Sequence, residues 1–224
     1  MVSVTDHAAD IPEDKTIWHY RQFAEFSSIL QNRALWFSRL DFLRDTFEGR
    51  SDQTYKSKFH DDADAHTRKG CASCWTIDDE ESELMWHAYA AGYGVAIRST
   101  KARLKASLLP PNAEKIMIEP VEYGTDWSDG LPRFYTMNHG YAFRKQRAFK
   151  WEHELRAYLP YEYEYDRGGG VVEPTYAGKS VLVELSTLMA EVWVAPYAPD
   201  WFTAVVKREL EKYGYAELPV NRRS

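Results

Sequence analysis

The sequence predicts an α+β fold, a single domain with a mixed, mainly antiparallel sheet flanked by helices. Three observations carry this expectation. Short alternating strands and short amphipathic helices follow each other without a regular βαβ rhythm. Apolar residues make up 44% of the chain and aromatics 15%, enough for a packed core. The length, 224 residues, suits one domain or a tight two-lobed one.

Residues 1–15, MVSVTDHAADIPEDK, are polar and acidic and predict a loose arm, with the globular domain over 16–224. TIWHYR (16–21) predicts a first strand. QFAEFSSILQN places Phe23, Phe26, Ile29 and Leu30 at helical spacing. ALWFS (34–38) predicts a second strand and RLDFLRDTFEGR a turn-rich, charged connection. CASCWT (71–76) predicts a strand. Ser82 is placed to cap a helix over ESELMWHAYAA, which Gly92 and Gly94 end. GVAIRS returns as a strand, and KARLKASLL predicts a helix stopped by Pro110 and Pro111. KIMIEPVEY is extended, with Pro120 favouring an edge or bulge. Residues 124–140 predict a loop or short helix, and YAFRKQRAF a helical segment. DRGGG marks a connection, SVLVEL and EVWVAP are strands, and PDWFTAVVKRELEKYG is a helix.

FKWEHELRAYLP (149–160) fits two patterns. As a strand it puts Lys150, Glu152, Glu154, Arg156 and Tyr158 on one face and Trp151, His153, Leu155, Ala157 and Leu159 on the other. As a helix it aligns Trp151, Leu155, Tyr158 and Leu159. Taken alone, the strand reading predicts a solvated edge face.

The net charge of −6 argues against a broad nucleic-acid footprint. A local basic run, Arg144, Lys145, Arg147 and Lys150, predicts a solvated helix face. The N-terminal stretch lacks the apolar core of a signal peptide, and no apolar run reaches the roughly 18 residues of a membrane span. Two cysteines suggest no disulfide framework, so a cytoplasmic location and no membrane partner are expected.

No P-loop, GxGxxG, HExxH or GxSxG motif is present. His60, His66, Cys71 and Cys74 offer zinc-type ligands in atypical spacing, and buried free thiols are the stronger expectation, with no metal site. Asp45, Glu48, Glu152 and Glu154 are the carboxylates a metal-dependent nuclease would gather. Arg156 stands where such sites usually carry lysine.

Several motifs occur in a set order: RDTFEG (44–49), CWT (74–76), ELMWHAYA (83–90), GVAI (94–97), VEY (121–123), FRK (143–145), WEHELR (151–156) and EVWVAP (191–196). From His19 to about Tyr197 the chain resembles the bacterial domain-of-unknown-function family numbered 2971, whose members are similar to abortive-infection proteins of the AbiGi type. Thr46 departs from the family's more frequent proline, and Trp75 from its phenylalanine. More distantly, the HYR of the first strand, the helix and strand after it, and a late E-x-E followed by VWV resemble the ADP-ribosyltransferase fold. That resemblance implies NAD as substrate, an unknown nucleic-acid or protein acceptor, and a role in phage defence or as a toxin. It implies Glu154 and Glu152 as catalytic carboxylates. It implies His19, Tyr20 and Arg21 as residues that hold the dinucleotide, and Tyr89, Lys145 and Arg156 are further candidates by residue type, an aromatic face and two cations. The required groups are a carboxylate for an oxocarbenium-like ribose, a second carboxylate for the acceptor, an aromatic face for the nicotinamide cation, and cations for the diphosphate. A non-catalytic binding module in a defence system remains an alternative.

Overall fold

The structure, a computed structural model, describes residues 11–43, 70–124, 140–160, 164–165, 171–172 and 175–223. By compactness the chain divides into two units. One comprises Met1–Ile11, Phe37–Ser73 and Lys115–Lys179, and the other Pro12–Trp36, Cys74–Glu114 and Ser180–Ser224. Strands β2 (Ala34–Arg39), β3 (Gly70–Ile77) and β11 (Gly178–Leu182) contribute residues to both. The fold is mixed α and β, and its strand pairings are mostly antiparallel, as the sequence predicts.

The second unit is built on β1 (Thr16–Gln22) and β4 (Gly94–Thr100). They pair antiparallel along their whole length, from Thr16 opposite Thr100 to Gln22 opposite Gly94. On its other side β1 pairs the end of β3, with Ile17 opposite Ile77. β4 pairs β12 (Glu191–Val194), which takes β13 (Val220–Arg222) as a parallel neighbour. The helices of this unit bury apolar residues against it. α1 (Phe23–Asn32) buries Phe26, Ile29 and Leu30, and α3 (Lys101–Ser107) buries Leu104. α4 (Leu185–Leu188) buries Leu185 and Leu188. α5 (Asp200–Lys212) buries Phe202, Val206 and Leu210 at the i, i+4, i+8 positions of a helix face. α1 and α5 are tied by the Ser27 hydroxyl, which donates to Glu209 at 2.5 Å. α2 (Glu83–Tyr89) starts where expected, with the Ser82 hydroxyl accepting the Met85 amide. Gly94 follows in a place where a Cβ would collide with the Ala90 carbonyl.

In the first unit β5 (Met117–Pro120) pairs β8 (Glu154–Pro160) antiparallel, with Glu119 opposite Arg156. β8 also pairs β3, which meets β2 through Ala72 and Ser38. A separate parallel pair joins β6 (Glu122–Gly124) to β7 (Arg144–Gln146). β9 (Glu164–Tyr165) and β10 (Val171–Val172) form a short antiparallel pair. The core gathers Leu40, Ala72, Ala142, Phe143 and Tyr158, with Leu43 and Met117 against it. Tyr158 lies across the strand at Gly70, where any Cβ would overlap its phenol ring.

Three local expectations are corrected. Residues 141–149 are not an α-helix: 3-10 turns at Gly140–Phe143 and Arg147–Glu152 flank the short β7. Lys145 is buried rather than on a solvated basic face, although Arg147 and Lys150 are exposed. The stretch 149–160 is neither wholly strand nor helix. It changes state at His153, a left-handed residue at φ 43°, so Lys150 and Glu152 precede the strand.

Candidate functional site

Glu152, Glu154, Lys145 and Arg156 converge within the first unit. Glu152 closes the 3-10 turn and Glu154 opens β8. The left-handed His153 between them turns the chain, so the two carboxylates meet one ammonium. Lys145 Nζ lies 2.6 Å from Glu152 Oε2 and 3.2 Å from Glu154 Oε2. Arg156 Nε donates to the other oxygen of Glu154 at 2.7 Å, and its Nη1 donates to the Ala142 carbonyl. Lys145 also stands 5.0 Å over the Phe149 ring. β7 delivers Lys145 because its pairing with β6 sets Lys145 opposite Tyr123.

The solvated edge expected for this face is not found. Exposure is 4% at Glu152, 3% at Glu154, 7% at Lys145 and 0% at Arg156. Charges so buried need close partners, and the balance of two carboxylates and two cations supplies them. Tyr123 completes the arrangement and was not singled out in the sequence. Its hydroxyl accepts the Glu154 amide at 2.8 Å. Burial, then the Glu154 carboxylate beside it, pushes the Tyr123 hydroxyl far above its ordinary pKa, so it stays protonated. The only sequence signal for Tyr123 is its place in VEY, one residue after the buried Glu122.

The other expected residues lie in the second unit. His19 is fully buried and stacks on Trp75, ring centroids 4.5 Å apart. Its Nδ1 is 2.9 Å from the Cys74 carbonyl, which only accepts, so Nδ1 carries the proton. Burial and then the Arg21 guanidinium hold the His19 pKa well below its ordinary value. The ring is therefore neutral, and its Nε2 has no partner among the described residues. Tyr20 points to the opposite face of β1, as the two-residue period of a strand requires. It meets the buried Trp86 edge to face at 5.0 Å, and its hydroxyl accepts the Ser82 amide at 2.8 Å. Arg21 donates to the Tyr20 carbonyl at 3.3 Å. Tyr89 is half-buried at the end of α2. HYR is thus one motif in sequence but two faces in the fold.

The carboxylates Asp45 and Glu48, and the candidate zinc ligands His60 and His66, lie outside the described residues. Cys71 is buried, and burial pushes its thiol up to about 11; Cys74 is part-buried. Among the described residues no group of three or more His, Cys, Asp and Glu side chains is arranged to hold a metal ion. None of the described helices is long and apolar enough to cross a membrane. Neither a family model nor a curated protein matches the chain.

Proposed function

We propose that the protein is an ADP-ribosyltransferase-like enzyme that takes NAD as substrate, with Glu154 as the catalytic carboxylate. The observation that carries this reading is the convergence of Glu152 and Glu154 on the single Lys145 ammonium. The resemblance of the first-strand HYR and the late E-x-E to that fold adds to it. Breaking the bond between the ribose C1′ and the nicotinamide nitrogen sends the electron pair to the ring and leaves positive charge on the ribose. A fixed carboxylate stabilises that charge, most strongly where water is excluded. Lys145 holds Glu152 more closely than Glu154, so the Glu154 oxygen at 3.2 Å is the one a ribose hydroxyl takes over. Lys145 then serves as the cation for the diphosphate, while Arg156, with no solvent exposure, holds the other Glu154 oxygen. Glu152 receives the proton of the acceptor nucleophile, a nucleic-acid or protein group, as that nucleophile bonds to C1′. These steps use neither His19 nor Tyr20, which pack on Trp75 and Trp86 in their own unit. A role in phage defence or as a toxin follows from the resemblance to the AbiGi-type proteins.

The test is NAD consumption by the wild type and by Glu154→Gln, with calorimetry to follow binding. Loss of turnover by at least about 100-fold, with folding retained, is expected for a group that acts in the transition state. Equal turnover, or no NAD binding by the wild type, overturns the reading.

One observation favours a second reading, a non-catalytic binding module. Both oxygens of Glu154 already meet cations in a buried setting. That reading makes the four charges a structural lock, and Glu154→Gln then lowers stability while the wild type turns over no NAD.

A further inference from the structure

The second unit carries a strip of exposed aromatic and apolar side chains that the proposed reaction does not use. Leu84 is 63% exposed, Trp201 58%, Tyr93 48% and Tyr197 41%. Ring contacts and one backbone hydrogen bond connect their neighbourhoods. His87, one turn after Leu84 on α2, stacks on Tyr197 at 5.0 Å and 14°. Tyr93, in the turn that leaves α2, packs against Trp201 at 5.5 Å. The Gly94 carbonyl accepts the Ala195 amide at 3.0 Å, which joins that turn to the segment before α5. Soluble proteins seldom leave large rings exposed side by side without a partner for them.

The charge around the strip selects the partner. Glu83 precedes Leu84, and Asp200 precedes Trp201 with its side chain wholly exposed. Glu83 lies 3.8 Å from the His87 ring that stacks on Tyr197, which sets a carboxylate near that end of the strip. Upstream of Glu83, the Glu81 carboxylate accepts the Trp86 indole N–H at 2.7 Å. The chain's own arginines already bind this acidic margin. Arg222 meets Asp200 at 2.8 Å and Arg223 meets Glu81 at 3.4 Å. Aromatic faces attract cations, guanidinium most of all, and the carboxylates add to that attraction.

We propose that this strip is a docking surface for an arginine-rich segment of a protein partner, whose guanidinium groups lie over Trp201, Tyr93 and Tyr197 with the carboxylates at their edges. It does not depend on NAD chemistry. The probe is a fluorescein-labelled peptide of alternating arginine and alanine, followed by anisotropy against the full chain. Binding is expected to weaken about five-fold or more in Trp201→Ala, which leaves the charge unchanged. It is expected to weaken again in Glu83→Gln and to fall as salt is raised. Both sites are exposed, and circular dichroism checks that the variants fold. Binding that Trp201→Ala and Tyr93→Ala leave unchanged overturns the proposal, because simple charge attraction would then explain it. So does equal affinity for a single-stranded oligonucleotide of the same length.

Discussion

Arg156 is a large charged side chain with no solvent exposure, and its neighbours explain how the fold tolerates it. An isolated buried guanidinium is very costly, but here a carboxylate oxygen and a carbonyl both accept from it. Lys145 is the more exacting member, because both carboxylates lie within 3.2 Å of its one ammonium. Lys145→Met should destabilise the protein by about 3 kcal/mol or more, since it removes a cation from beside two buried carboxylates. Urea denaturation measures this. Adding Glu152→Gln should recover part of the loss, a coupling a double-mutant cycle resolves. The identity of these residues was legible in WEHELR and FRK, but their burial was not. Spacing tells which face a charge takes; it does not tell that an opposite charge from another element will close over it.

At the scale of elements, α2 shows what local chemistry decides. Its capping serine stands before an apolar helical run, and the structure places the cap there. The same residue's amide reaches the Tyr20 hydroxyl, so the helix start is also fastened to β1. Ser82→Ala should cost about 1 kcal/mol through loss of the cap, read as a shift in the urea midpoint at constant slope. Strand β12 and helices α1 and α5 were legible for a like reason, since a single period runs through each, while β1 and β4 were legible as short runs buried on both faces. Residues 140–153 were not. Two 3-10 turns, a three-residue strand and a left-handed histidine follow one another there, and none is long enough to establish a period.

For the molecule as a whole, the two units divide the residues that the sequence suggested as one site. Lys145, Glu152, Glu154 and Arg156 fall in one unit, and His19, Tyr20, Arg21 and Tyr89 in the other. Linear order is a weak guide here because each unit is assembled from three separate stretches of chain. Global stability should carry the signature of His19. Its native pKa lies well below the ordinary value, near 6.5, that it regains on unfolding. As pH falls below about 6.5 the unfolded chain takes up a proton there that the native chain refuses, so stability drops until the native pKa is reached. The limiting slope from this one group is about 1.4 kcal/mol per pH unit. His19→Asn, which keeps an amide donor for the Cys74 carbonyl, should show a shallower acid decline in denaturant melts at pH 7, 6 and 5. Gly70 and Tyr158 impose a constraint of another kind. The phenol occupies the space that any side chain at position 70 would need, so the two positions form one heritable character. A lineage that gains a side chain at 70 must first, or at the same step, give up the large ring at 158.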